Sequence, residues 1–122
     1  MTFRSLASSS KGNAYLVSDG ETVLLLECGL PYKKLAEKSG FTLMDTTACF
    51  VTHEHKDHSS AAGQLIRHGV PVYMSEGTAR ALELWDAEII EPNVPIMVGA
   101  FRVMAFRVAH DAADPVGYLI DD

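Results

Sequence analysis

In Val23-Leu24-Leu25-Leu26 and in Ala48-Cys49-Phe50-Val51, apolar residues follow one another without a polar break. Side chains alternate faces along a strand, so such runs predict strands buried on both sides. Val70 to Met74 reads the same way. Phe101 to Val108 alternates instead. Phe101, Val103, Ala105 and Arg107 fall on one face, Arg102, Met104, Phe106 and Val108 on the other, which predicts a strand with two distinct faces. Val116 to Ile120 is the last strand. At the N-terminal end, strands are expected over Thr2–Ala7, Ala14–Ser18 and Thr22–Glu27. Ser8 to Asn13 reads as a polar loop between the first two, and Asp19-Gly20 as a hairpin turn between the next two.

Helical signals fill the gaps. Pro31 suits a first helical turn, with Leu35 one turn on and Gly40 as the stop after Ser39. Ser59 to His68, closed by Gly69, reads as a second helix. Ser75 is a candidate N-cap for a third, running to about Trp85 with Ala79, Leu82 and Trp85 facing the core. Glu88 to Glu91 reads as a short strand ended by Pro92 and Pro95. Hairpins followed by alternating helices and strands make an α/β (α+β) chain, a mixed sheet with helices on at least one face. No repeat or linker interrupts residues 1–122, so a single domain is expected.

Composition narrows the class. Apolar residues are 48% of the chain and charged residues 21%, ordinary for a soluble globular protein. No apolar run approaches the roughly 18 residues that span a bilayer, and the N-terminus carries no secretory pattern. Cys28 and Cys49 follow no paired spacing and lie near apolar strands, where reduced, buried thiols are expected. A cytoplasmic setting follows. The net charge of −6 is the wrong sign for general nucleic-acid binding, which depends on cations facing phosphates. Bound divalent ions would reverse that sign locally.

The chemistry concentrates in Thr52-His53-Glu54-His55-Lys56-Asp57-His58, where the buried strand gives way to a helix. If the chain is extended from His53 to His55, both imidazoles project to one side and can share a cation. The turn into the helix re-aims Asp57 and His58, towards the same ion or a second one. Imidazole with carboxylate suits zinc, and also manganese or iron. His110, just past the Phe101–Val108 strand, is placed to reach the first ion. His68, in the last turn of the predicted helix, reads as structural. Lys56 stands between ligands, where an anionic substrate or plain solvent would meet it.

His53-x-His55-x-Asp57-His58 resembles the H-x-H-x-D-H signature of the metallo-β-lactamase-fold hydrolases. Leu6-Ala7-Ser8-Ser9-Ser10-Lys11-Gly12-Asn13 and Leu24-Leu25-Leu26-Glu27-Cys28-Gly29-Leu30 look like the WalJ/YycJ-type branch, whose members are phosphodiesterase or exonuclease-like. The resemblance runs from Arg4 to Asp122 but covers only the first half of a typical family domain. It implies the N-terminal half of an αββα sandwich, with metal ligands His53, His55, Asp57, His58 and His110. It implies one or two zinc ions and Asp57 as the catalytic carboxylate. Glu27 stands where the family more often carries an aspartate that orients a ligand. Asn13 belongs to a loop that resembles the family's substrate-side loop, where it would contact a phosphate. The family's second half brings a bridging aspartate and a last histidine, which have no counterpart here. Two readings follow: a metal-dependent hydrolase acting on phosphodiesters, or a non-catalytic metal-binding half that needs a partner. A homodimer or a separately encoded second half would supply the rest, and would cover the sheet face that helices on one side leave open.

Overall fold

The computed structural model describes residues 1–40 and 42–122. Among the described residues, nine strands form two sheets. The first has six strands in the order β1-β2-β3-β4-β5-β6: β1 (Thr2–Ser9), β2 (Gly12–Ser18), β3 (Val23–Leu26), β4 (Ala48–Phe50), β5 (Val72–Met74) and β6 (Glu88–Ile89). The β1–β2 and β2–β3 pairs are antiparallel; β3, β4, β5 and β6 run parallel. The second sheet, β7 (Ile96–Val98), β8 (Phe101–Arg107) and β9 (Val116–Asp121), is an antiparallel meander. Helices α1 (Tyr32–Lys38), α2 (Lys56–Ser59), α3 (Ala62–Arg67) and α4 (Glu76–Leu82) lie between the parallel strands. No helix among the described residues is long and apolar enough to cross a membrane.

The unbroken apolar runs lie where two cores meet. Leu25, Cys49 and Val51 join Leu35, Leu65 and Ala79 in a core under the helices. Leu24, Ala48 and Phe50 turn the other way and join Phe101, Val103, Ala105 and Val116 of the second sheet. Phe50 stacks on Tyr73 and meets the edge of Tyr118 there. The alternation in β8 is therefore real: Phe101, Val103 and Ala105 are buried, and Arg102 and Phe106 are exposed.

Several expectations are corrected. The second face of the six-stranded sheet is not left open, because the chain's own β7–β9 meander packs on it. The Ser8–Asn13 loop shrinks to a turn at Ser10-Lys11, as Ser8 pairs with Asn13 and Ser9 with Gly12. The 59–68 helix is two short helices, and the first begins at Lys56, so Asp57 and His58 sit in a helical turn. The helix from Ser75 stops at Leu82, where Glu83 turns left-handed at φ 56°. Leu84 then packs on the helix-side core, and Trp85 is left 73% exposed rather than buried. Strand β7 had no periodic signal, being three residues framed by Pro95 and Gly99. The last strand runs one residue past Ile120, to Asp121, which pairs with Arg102.

Candidate metal centre

The centre forms where β3 and β4 end. Cys28 N donates to His58 O at 2.9 Å, Gly29 N donates to Asn13 O at 3.0 Å, and Ala61 N donates to Cys28 O at 2.9 Å. These bonds press the segment after β3 against the start of α2. The approach is too close for a side chain: a Cβ on Gly29 would stand 1.8 Å from Asp57 O. His55 is the residue before α2, and its carbonyl accepts from the amides of His58 and Ser59. The helix thus starts at once after the second histidine, and Asp57 and His58 are swung back towards the strand ends.

Three imidazoles converge there. Their rings lie 4.7 Å (His53–His55), 4.3 Å (His53–His110) and 5.4 Å (His55–His110) apart between centroids. One ring nitrogen from each lies within 4.8 Å of the others. His53 Nε2 and His110 Nε2 are 3.1 Å apart, near the separation of about 3.3 Å between two nitrogens on one tetrahedral zinc. His53 is buried, while His55 and His110 are open to solvent. Burial first, then the neighbouring His58, holds His53 below the ordinary imidazole pKa, which keeps it in the neutral, ligating form.

Glu27 organises the other side. It is 6% exposed and holds a left-handed backbone at φ 65°. Its Oε1 accepts from Thr52 N at 2.8 Å, and its Oε2 accepts from the Thr52 hydroxyl at 2.7 Å and pairs with His58 Nδ1. Thr52 Oγ1, having donated to Glu27, is left to accept from His53 Nδ1 at 2.7 Å. Both histidines therefore keep Nε2 lone pairs for the centre. The hydrogen bond that His58 donates to Glu27 raises the pKa of His58 against the opposing effect of burial. His58 Nε2 stands 3.3 Å from Asp57 Oδ2, so these two donors also face each other. Glu27, His53 and His58 also bring one donor atom each within 4.8 Å of one another. The Glu27 oxygens are already engaged by three donors, so its geometry suits an anchor better than a ligand. The donor set fits a metal ion: three neutral-capable nitrogens stand at ligand spacing, and His53 is anchored through its other ring nitrogen as metal-binding histidines are.

Asn13, expected at the substrate side, is engaged within the chain. Its Nδ2 donates to Ser9 O at 3.0 Å and to Asp57 O at 3.1 Å, and its Oδ1 accepts from the Tyr15 hydroxyl at 3.1 Å. With its polar atoms engaged inside the chain, it holds the Asp57 backbone. Lys56 is exposed, and His68 stacks on Tyr32 at 4.7 Å away from the cluster. Two supporting residues carried no sequence signal of their own. Thr52 is the residue before the motif. Tyr118 donates to Val51 O at 2.6 Å, and its phenol is pushed well above its usual pKa by burial.

Comparisons with known proteins identify the family. The Lactamase_B family model, described as the metallo-beta-lactamase superfamily, matches residues 10–114. An exodeoxyribonuclease YycJ from Bacillus anthracis is 35% identical over 95% of this chain and 48% of its own length. An exodeoxyribonuclease WalJ from Streptococcus pneumoniae is 31% identical over 93% of this chain and 47% of its own. The chain thus spans about half the length of these curated relatives. Among solved structures, the metallo-beta-lactamase fold protein YhfI from Bacillus subtilis matches with a TM-score of 0.74 at 21% identity, over 95% of this chain and 53% of that one. Rm3 metallo-beta-lactamase matches with a TM-score of 0.80 at 18% identity, over 95% and 52%. The chain belongs to the metallo-beta-lactamase superfamily.

Proposed function

We propose that this chain carries the metal-binding half of a phosphodiester hydrolase that acts on nucleic acid. His53, His55 and His110 hold one divalent ion, zinc or else manganese or iron, and Asp57 and His58 begin a second position. The observation that carries this reading is the 3.1 Å approach of His53 Nε2 to His110 Nε2, with the other nitrogen of His53 tied to Thr52. When bound, such an ion polarises a phosphoryl oxygen and brings a coordinated water to a pKa of about 7. The chain's own groups supply orientation: Glu27 and Thr52 fix the rings, and Asn13 fixes the Asp57 backbone. Asp57, half-buried beside His58, accepts a proton from the attacking water or holds the second ion. The exodeoxyribonucleases among the relatives point to a phosphodiester substrate. A dication also offsets the net charge of −6 where a phosphate must approach. The two buried free thiols fit a reducing, cytoplasmic setting.

Hydrolysis of a bis-aryl phosphodiester and of an end-labelled DNA strand, with added zinc or manganese, tests this function. The expected result is slow turnover that disappears in Asp57→Ala. No turnover, or turnover indifferent to Asp57→Ala, would overturn it in favour of a second reading. That reading is a metal-binding half that is inert alone and completed by a second copy or a separate second half. It is favoured by the second position, where only Asp57 and His58 offer uncommitted donors among the described residues.

A further inference from the structure

His110 stands on the loop between β8 and β9, the eight residues 108–115, which lie outside both strands. A ligand on such a loop costs conformational entropy to place, yet its Nε2 is held at 3.1 Å from His53. Two carboxylates hold the loop, one on each side.

Asp114 ties it to the start of α4. Its Oδ2 accepts from Gly77 N at 3.1 Å and its Oδ1 from Arg107 Nη1 at 2.9 Å. Its carbonyl oxygen accepts from the Ser75 hydroxyl at 2.7 Å and the Thr78 hydroxyl at 3.4 Å. Ser75 and Thr78 are fully buried. The fit is close enough that a Cβ on Gly77 would meet Asp114 Cβ at 2.3 Å. Glu54 ties the loop to the motif itself. Its Oε2 accepts from Ala113 N at 2.9 Å. Its Oε1 is buried without a hydrogen-bond partner, so the bond to Ala113 is what orients the carboxylate. Glu54 stands between His53 and His55, so this bond joins the segment with two ligands to the segment with the third.

We infer that Glu54 and Asp114 are positioning residues for His110: together they clamp its loop between the histidine motif and α4, and so set the geometry of the three-histidine site. The inference rests on the metal-binding reading above. Neither carboxylate is asked to touch the ion. Partners of this kind set ligand orientation, and losing one typically costs 10–100-fold in metal affinity.

Titration of the metal-free chain with cobalt(II), read by its visible absorption bands and by competition with zinc, tests the clamp. Melting of the metal-free variants is measured alongside. Glu54→Ala and Asp114→Ala are each expected to weaken cobalt binding by about 10–100-fold and to alter the band pattern, with metal-free melting of Glu54→Ala close to the parent. Glu54→Gln, which keeps an acceptor for Ala113 N–H, is expected to recover most of the loss. His110→Ala is the reference. If it weakens cobalt binding while Glu54→Ala and Asp114→Ala leave affinity and bands unchanged, the clamp is refuted and the metal site stands. If His110→Ala itself changes nothing, the three-histidine reading falls and the clamp with it. Should Asp114→Ala fail to fold, the Glu54→Ala and Glu54→Gln pair decides alone.

Discussion

Glu27 shows how one residue serves two ligands. A non-glycine residue at φ 65° is strained, and such strain persists where surrounding bonds over-determine it. Here two oxygens receive Thr52 N, the Thr52 hydroxyl and His58 Nδ1. That backbone turn and the reach of the glutamate side chain together bring both oxygens to Thr52 and His58. Glu27→Ala is expected to free both His53 and His58 and to lower zinc affinity by about 10–100-fold, measured by chelator competition. Removing the ligands is harsher: His53→Ala combined with His55→Ala should abolish stoichiometric zinc, as metal analysis after gel filtration would reveal. Acid acts on the same nitrogens, because each ligand must be neutral to bind. His53, lowered from the ordinary value near 6.5, resists protonation. His58, raised by Glu27, takes its proton first. As pH falls, an ion held by Asp57 and His58 should therefore leave before one held by the three histidines. Titration with two equivalents of cobalt across pH 5–8 would expose the order, and simultaneous loss would contradict it.

Between elements, the two sheets are stitched together behind the centre. Val116 N donates to Thr52 O at 3.0 Å, and the Tyr118 hydroxyl donates to Val51 O. Tyr118→Phe should cost about 1 kcal/mol at neutral pH, measured by urea unfolding. It should also change the alkaline limb. The folded phenol pKa is raised by burial, so its contribution is full below the unfolded value of about 10 and is lost as pH rises from there towards the folded value. The Phe variant lacks this decline. A decline of equal steepness in both proteins would rule the phenol out. Gly29→Ala is expected to be more damaging, since no rotamer adjustment removes a backbone clash with Asp57 O. These elements were unequally legible in the sequence. The buried runs at Leu24–Leu25 and Cys49–Phe50, the alternation in β8 and the histidine spacing are local signals, and they survive folding. Trp85 misled because helical spacing carries no information on where a helix ends, and Glu83 ends this one. Strand β7 was silent because three residues beside Pro95 hold too little period to read. The partners of Glu27 were hidden because Thr52 and His58 come to it across the sheet, 25 and 31 positions away.

At the scale of the molecule, the second sheet is half as wide as the first. Strand β9 is one of its two edges, paired on one side with β8. A groove of about 390 Å³ runs beside it, lined by Phe3, Val17, Leu26, Tyr118 and Ile120 among others. Pairing places Met97, Met104, Phe106 and Leu119 together on the outer face, and Met97 and Leu119 are 64% and 51% exposed. An unpaired edge beside apolar surface invites strand addition. Light scattering at micromolar concentration is expected to find a dimer, and Leu119→Lys on β9 should shift it towards monomer. A monomer that binds no hydrophobic dye would refute this. The six-stranded sheet has another consequence. Its side chains separate one interior from the other, with Leu24 and Leu25, adjacent in the chain, serving opposite sides. Leu65 and Phe101 share no partner across that wall, so their truncations should sum, whereas Phe101 with Val103 should not. Each interior can then be redesigned by itself, with one stiffened while the other keeps its native packing.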